Sequence, residues 1–184
     1  MTAIMTALSI GTLKCWLAAA TAYDVPPGLL LAIVQVESAY HVDALAYAPN
    51  GTYSVGLMQI NSSWFPQLRR VGIDEKHLFE PCANVSVGAW ILSQGIARYG
   101  PTWEAIGAYY AGPYDTQSSA WKRPLYRQYA WKVLKAWKRI NKLMSQTPAA
   151  SIAAENFHDQ LPPIRSPGRP DEVRRHRFST TNER

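Results

Sequence analysis

The sequence predicts a mainly α-helical fold with a small β-hairpin. Two segments, within residues 29–38 and 119–144, carry apolar residues at the three- and four-residue spacing of a helical face. Between them lies Asn50-Gly51, a dipeptide typical of hairpin turns, with a tyrosine on either side. A chain of 184 residues is long enough for one domain with a substantial core.

The predicted elements follow one another with clear breaks. Residues 13–23 predict a first helix, and Val25-Pro26-Pro27-Gly28 opens a second that ends near Ser38, because proline is tolerated in a first helical turn. The hairpin covers residues 45–57. The remaining elements are a helix capped by Asn61, Ser62 or Ser63 and running to about Arg70, a short turn capped by Asp74, helices at 83–98 and 101–110, a polar loop at 113–119, and the helix at 119–144.

The domain itself is predicted to occupy residues 15–144. Residues 1–14 form a poor or truncated signal-like segment, since no Lys or Arg precedes their apolar run and Lys14 interrupts it. Residues 145–184 are rich in proline and poor in large apolar residues, which predicts a disordered tail. No stretch is long enough to predict a stable membrane span.

Positive charge is concentrated in the last predicted helix. Of the net charge of +6, residues 1–120 contribute five basic and eight acidic side chains, whereas residues 121–144 contribute eight basic and none acidic. A solvated basic face is one interpretation, and contact with an anionic polymer or partner is the other. A single basic segment without a recognised motif does not indicate a nucleic-acid partner. The apolar stripe of this helix comprises Tyr126, Ala130, Val133, Trp137, Ile140 and Met144.

Two cysteines, Cys15 and Cys82, leave two interpretations open. They are either free core thiols or one disulfide, and the choice depends on the compartment. No CxxC or Cys/His spacing indicates a metal site.

An acidic residue ends the apolar stripe of the second helix. Leu30, Ile33 and Val34 share one helical face, and counting on by three or four residues reaches Glu37. One interpretation is a structural carboxyl that turns to water or pairs with a basic residue. The other is a general acid, because burial penalises the charged form and raises the pKa.

Four motifs occur in an order that favours the catalytic interpretation. They are Glu37-Ser38, the stretch GLMQIN at residues 56–61, Asn84-Val85, and AYYAG at residues 108–112. This set resembles the lysozyme-like lytic transglycosylases that cleave peptidoglycan. It is most similar to the specialised enzymes of conjugation and of type III and type IV secretion systems. The resemblance covers about residues 14–140 and implies a lysozyme-like helical domain of the goose type, with the hairpin beside an active-site cleft.

The resemblance also implies a role for each matching residue. Glu37 takes the place of the single catalytic acid. Met58 and Gln59 match residues that line the sugar subsites, and Asn84 matches a polar residue that faces the cleft. Tyr109 matches a tyrosine whose hydroxyl approaches the catalytic carboxyl. Two of these residues also have a purely structural interpretation: Met58 as a packing residue of the core, and Asn84 as a helix cap.

One position departs from the family. The residue after Tyr109 is usually Asn, and here it is Tyr110. This departure affects the expected hydrogen bonding around the site.

The distribution of carboxylates favours a one-carboxyl mechanism. Most glycosidases use two carboxylates about 5–10 Å apart, but residues 44–73 contain no Asp or Glu. Asp43 is the nearest second candidate, and Glu104 and Asp115 are more distant ones. We therefore expect Glu37 to protonate the leaving oxygen and then to take the proton of the sugar C6 hydroxyl, which gives a 1,6-anhydro-muramyl end without a metal or organic cofactor.

The resemblance further implies a setting for the enzyme. We expect a monomer in the bacterial periplasm that acts on peptidoglycan strands and opens the wall for a secretion or conjugation apparatus. In that compartment oxidation is available, which predicts a Cys15–Cys82 disulfide. The alternatives are a hydrolytic lysozyme on the same scaffold and a weakly catalytic peptidoglycan-binding assembly protein.

Overall fold

The computed structural model describes residues 10–111 and 122–144, which form a mainly helical fold with a small antiparallel sheet. The strands are β1 (Leu45–Tyr47), β2 (Tyr53–Val55) and β3 (Ile60–Asn61), and short 3₁₀ turns lie at Ser62–Trp64 and Lys76–Phe79. The predicted fold class is confirmed. The α-helices are α1 (Ile10–Ala22), α2 (Pro27–Ser38), α3 (Phe65–Arg69), α4 (Pro81–Tyr99), α5 (Trp103–Ala111) and α6 (Lys122–Met144).

The predicted helices lie close to the observed ones. Proline lies in the first turn of α2, and the helix ends at Ser38 because Ala39 adopts a left-handed conformation with φ 49°. α1 begins at Ile10, so it starts within the predicted signal-like segment. The rest of that segment, the polar loop at 113–119 and the tail at 145–184 lie outside the described residues.

The hairpin is present, but its sheet is larger than predicted. β1 pairs antiparallel with β2, with Tyr47 opposite Tyr53, and β2 also pairs with the unpredicted strand β3. Ala48 donates its amide to the carbonyl of Thr52, so the connection is longer than the two-residue turn that Asn50-Gly51 predicted. β3 is too short to give a periodic pattern in the sequence, which explains why it was missed.

The core forms where α2 and α5 pack against α6. The predicted stripe residues Leu30, Ile33 and Val34 are all fully buried. Glycine permits the close approach of α2, because a Cβ on Gly28 would lie 2.7 Å from Oδ1 of Asn141. The N-terminal end of α2 therefore lies against the C-terminal half of α6, and the Glu37 end lies against its N-terminal half.

A disulfide joins α1 to the start of α4. Cys15 and Cys82 are bonded, with Cα atoms 5.2 Å apart and a sequence separation of 67 residues. The predicted pairing is confirmed by the structure.

Within residues 10–111 and 122–144, no single helix is both long enough and apolar enough to cross a membrane. One pair, Lys14–Ala22 with Pro27–Ser38, meets the length and composition criteria jointly but is bent by 115°.

Replacement of both cysteines should lower stability without changing the fold. A disulfide that closes a loop of this length constrains the unfolded chain and typically contributes about 2–4 kcal/mol. Urea unfolding of a Cys15→Ala, Cys82→Ala variant should therefore give a correspondingly lower free energy of unfolding. The wild type in reductant should match the variant, and an unchanged midpoint in both would contradict the contribution of this crosslink.

Candidate active site

Glu37 lies in the last turn of α2, at the edge of the core. The three apolar residues that precede it on its face are fully buried, whereas Glu37 is partly exposed. Ser38 beside it is buried and donates its hydroxyl to the carbonyl of Val34, which commits this hydroxyl to the helix. Glu37 therefore lies at the boundary between the buried stripe and the surface.

A tyrosine of α6 holds the Glu37 carboxyl. The hydroxyl of Tyr129 donates a hydrogen bond to Oε1 of Glu37 over 2.5 Å. Tyr129 is itself 5% exposed, so this bond is shielded from water. The sequence predicted that Tyr109 would approach the carboxyl, but the hydroxyl of Tyr109 donates to the carbonyl of Met58 over 2.7 Å. The donor to Glu37 is thus Tyr129. The charge of Glu37 nevertheless raises the pKa of Tyr109, so an approach of the Tyr109 hydroxyl to the carboxyl stays a prediction.

Three influences set the protonation of Glu37. Burial raises the pKa of Glu37 from 4.5 to about 7, while the hydrogen bond from Tyr129 and the positive charge of Lys132 lower it. Burial dominates, and no neighbouring carboxylate is needed to explain the raised pKa. The position of Glu37 at a helix C-terminus also raises its pKa, because negative charge is disfavoured there.

The tyrosines around the site also respond to its charge. Burial and the charge of Glu37 raise the pKa of Tyr109 and of Tyr129 well above the usual value. Both phenols are therefore hydrogen-bond donors at neutral pH. A protonated Tyr129 can keep its hydrogen bond whether Glu37 is neutral or ionised.

An aromatic stack orients Tyr129. The ring of Tyr109 lies at 6.5 Å from that of Tyr129, measured between centroids, with the planes 14° apart. The ring of Tyr110 lies closer, at 5.2 Å and 25°. Offset stacking at these distances is favourable. Tyr110, where the resemblance implies an asparagine, thus packs on the tyrosine that holds the catalytic candidate.

Asn84 links the sheet to α4 through backbone groups. Its Nδ2 donates to the carbonyls of Val55 and Leu78, and its Oδ1 accepts the amide of Met58 over 2.7 Å. The side chain is 1% exposed. Asn84 therefore does not face a cleft as predicted, because its hydrogen-bonding groups hold buried backbone that would otherwise lack partners.

Met58 connects this network to the active site. Its amide reaches Asn84 of α4, and its carbonyl accepts the hydroxyl of Tyr109 of α5. Its side chain is fully buried and packs against Gly88 of α4. The packing interpretation of Met58 fits the structure, and its backbone is what contributes to the site.

Met58 and Gln59 were predicted to line the sugar subsites, and of the two only Gln59 is partly exposed. It adopts a positive φ of 47°, which is costly for a residue other than glycine. Its Nε2 donates to the carbonyls of Ala44 and Gly56, which holds this conformation in place. Contact of Gln59 with a sugar stays a prediction.

The other carboxyl candidates are less well placed for catalysis. Asp43 and Glu104 are exposed, and Asp115 lies outside the described residues. The raised pKa of Glu37 is explained by burial, so neither Asp43 nor Glu104 is required as a charged neighbour. This arrangement is consistent with one carboxyl that acts alone.

Tyr129 was missed for a clear reason. It lies four residues before Val133 and so belongs to the buried side of α6, but a buried tyrosine at helical spacing usually belongs to the core. Its partner Glu37 is 92 residues away in sequence. The only signal was that Tyr129 and Lys132 lie three residues apart, which puts a hydroxyl and a cation on neighbouring positions of one helix face.

The chain is similar in sequence to a protein family and to several known proteins. A family model described as the transglycosylase SLT domain matches residues 14–132, a range that contains Glu37, Met58, Tyr109 and Tyr129. The chain is 40% identical over 152 residues to the invasion protein IagB of Salmonella typhimurium (strain SL1344), covering 80% of this chain and 92% of that protein. It is 35% identical over 132 residues to protein IpgF of Shigella flexneri, covering 71% and 84%.

Two further similarities extend the comparison. The X polypeptide of Escherichia coli (strain K12) is 38% identical over 120 residues, covering 65% of this chain and 71% of that protein. The X-ray structure of an inactive mutant of lytic transglycosylase Slt from Pseudomonas aeruginosa superposes with a TM-score of 0.58 at 24% identity. The match covers 80% of this chain and 26% of that one, so it establishes the fold alone.

The raised pKa of Glu37 should make Glu37→Gln more stable than the wild type at alkaline pH. The unfolded carboxyl ionises near pH 4.5 and the folded one near 7, so the wild type loses stability relative to the variant as pH rises between these values. The difference in the free energy of unfolding should grow by on the order of 3 kcal/mol from pH 4 to pH 8. Urea unfolding across this range measures it.

Glu104→Gln is the matched control, because it removes an exposed carboxyl from α5. A Glu37→Gln variant whose stability relative to the wild type does not change with pH would show that Glu37 is not held protonated by burial.

Proposed function

The chain belongs to the transglycosylase SLT domain family as a peptidoglycan lytic transglycosylase, and from this premise we propose that it cleaves the MurNAc–GlcNAc β-1,4 bond with formation of 1,6-anhydro-MurNAc ends. The observation that carries the proposal is a single carboxyl, Glu37, whose pKa is raised by burial to about 7. A pKa near neutrality suits a group that must first give a proton and then take one.

The first step is protonation of the leaving group. Tyr129 donates to Oε1 of Glu37, so the acidic proton belongs on Oε2, the oxygen that Tyr129 does not hold. Oε2 gives this proton to the glycosidic oxygen, the bond from that oxygen to C1 of MurNAc breaks, and GlcNAc leaves with a free O4 hydroxyl. Positive charge develops at C1 as the bond breaks.

The second step closes the anhydro ring. The Glu37 carboxylate takes the proton of the C6 hydroxyl, and O6 bonds to C1 of the same sugar. No water is consumed, and Glu37 returns to its protonated form. The nucleophile is part of the substrate, so it gains from proximity.

The residues around Glu37 serve both steps. Burial keeps the proton on Glu37 before the reaction, which makes it a general acid. The hydrogen bond from Tyr129 and the charge of Lys132 then stabilise the carboxylate that remains. Because these influences oppose one another, neither the acid nor the base form becomes too stable to react.

We further propose that the enzyme acts in the periplasm and opens the wall for a secretion or conjugation apparatus. Similarity to proteins named invasion protein supports a role in building such an apparatus. The Cys15–Cys82 disulfide supports an oxidising compartment.

The products of purified peptidoglycan distinguish the proposed reaction from hydrolysis. The wild type should release muropeptides with 1,6-anhydro ends, lighter by one water than hydrolysed sugars, as measured by mass spectrometry. Glu37→Gln should lose activity by about 10⁴-fold or more, because one group serves as acid and as base. Asp43→Asn, a matched removal of an exposed carboxyl near the hairpin, should retain most of the activity.

Heavy oxygen from labelled water in the new reducing ends would instead indicate a lysozyme. Binding of peptidoglycan without release of any fragment would indicate an assembly protein, and an active Glu37→Gln variant would exclude Glu37 as the acid.

A further inference from the structure

We propose that Tyr110 is a positioning residue for the reaction, whose ring covers Tyr129 and keeps both water and alternative geometries away from the Tyr129–Glu37 hydrogen bond. This inference rests on the proposed role of Glu37. It concerns Tyr110, the position at which the resemblance implies an asparagine and this chain has a tyrosine.

The stacked rings restrict the movement of Tyr129. Tyr129 holds Glu37 through its hydroxyl, so a small rotation of the Tyr129 ring would move that donor away from the carboxyl. Tyr110 packs on this ring at 5.2 Å, closer than Tyr109 at 6.5 Å. Tyr109 is further restrained by its own bond to Met58, so the two neighbours hold Tyr129 in different ways.

Tyr110 and Tyr129 differ in their exposure to solvent. Tyr110 is 55% exposed, whereas Tyr129 beneath it is 5% exposed. The ring of Tyr110 therefore forms part of the boundary between solvent and the buried phenol. An asparagine at this position is too small to stack on Tyr129, and it would leave part of the Tyr129 ring open to water.

Loss of the Tyr110 ring has two opposing effects on Glu37. Access of water would lower the pKa of Glu37, and a weaker hydrogen bond from Tyr129 would raise it. Burial is the largest of the influences on Glu37, so the net change is a decrease. The titratable and charged groups that face Glu37 and Tyr129 in the described residues are Tyr109 and Tyr110 from α5 and Lys132 from α6.

The pH dependence of peptidoglycan cleavage tests the proposal. Protonated Glu37 is required, so activity falls as pH rises through its pKa. In Tyr110→Ala this alkaline limb should move down by roughly 0.5–1 pH unit. Release of muropeptides should then be about twofold to fivefold slower than in the wild type at pH 7, and nearly the same as in the wild type at pH 5.

Three other variants complete the test. Tyr110→Phe keeps the ring and should restore the wild-type profile. Tyr110→Asn, with the residue usual in the family, should shift the limb as Tyr110→Ala does and replaces that variant if it fails to fold. Tyr99→Ala removes another exposed tyrosine, at the end of α4, and should leave the profile unchanged.

The positioning role would be overturned if Tyr110→Ala released muropeptides at an equally reduced rate at pH 5 and pH 7, or at the wild-type rate at both. It would also be overturned if Tyr110→Phe behaved like Tyr110→Ala. A second readout separates this outcome from failure of the proposed function. The free energy of unfolding of Tyr110→Ala is compared, across pH, with that of the double variant Tyr110→Ala, Glu37→Gln, and the difference reports the pKa of Glu37 without any substrate. This difference should appear at lower pH than the difference between the wild type and Glu37→Gln. If both differences appear at the same pH, the proposal is contradicted even if no variant cleaves peptidoglycan.

Discussion

The hydrogen bond from Tyr129 to Glu37 is the interaction on which the site depends. It joins the C-terminal turn of α2 to α6 across 92 residues of sequence, at the place where the core meets solvent. Helix α6 can lie this close to α2 and to α5 because each of these helices has a glycine at its contact with α6. Gly28 lies against Asn141 of α6, and Gly107 of α5 lies against Tyr126, where an added Cβ would come within 2.7 Å of another side chain. A larger residue at position 107 would displace α6 and with it the phenol that holds the carboxyl, because the added Cβ would meet the Cβ and backbone of Tyr126.

The sheet is attached to this helical frame by side-chain bonds to backbone rather than by apolar packing alone. Asn84 fixes the amide of Met58, and Tyr109 fixes its carbonyl, so one peptide segment is held from two helices. Gly56, with φ 74°, lies so close to Asn84 that no side chain would fit. The consequence is a short, rigid connection between the hairpin and the tyrosines around Glu37. Met58, which was predicted to line the sugar subsites, and Asn84, which was predicted to face the cleft, are both buried and support the residues nearer the surface.

The sequence predicted those features that arise from local patterns. Helical spacing located α2 and α6, Pro27 and Ser38 bounded α2, and the stripe ending in Glu37 identified the candidate acid. The features it did not predict depend on contacts between distant segments. The direction of the Tyr109 hydroxyl, the burial of Asn84 and the role of Tyr129 follow from how α4, α5 and α6 pack, which spacing along one helix does not reveal. The structure links Met58, Asn84 and Tyr109, which the resemblance selected, by hydrogen bonds, and contact of any of them with a substrate stays a prediction.

The protonation of Glu37 is the central claim, because the acid and base steps both require a carboxyl that titrates near neutral pH. Infrared difference spectra between the wild type and Glu37→Gln isolate the carbonyl stretch of this one protonated carboxyl as pH is varied. The structure predicts that the band disappears with a midpoint near pH 7. A midpoint near 4.5, the value of a carboxyl in water, would show that burial does not hold the proton and would contradict the mechanism.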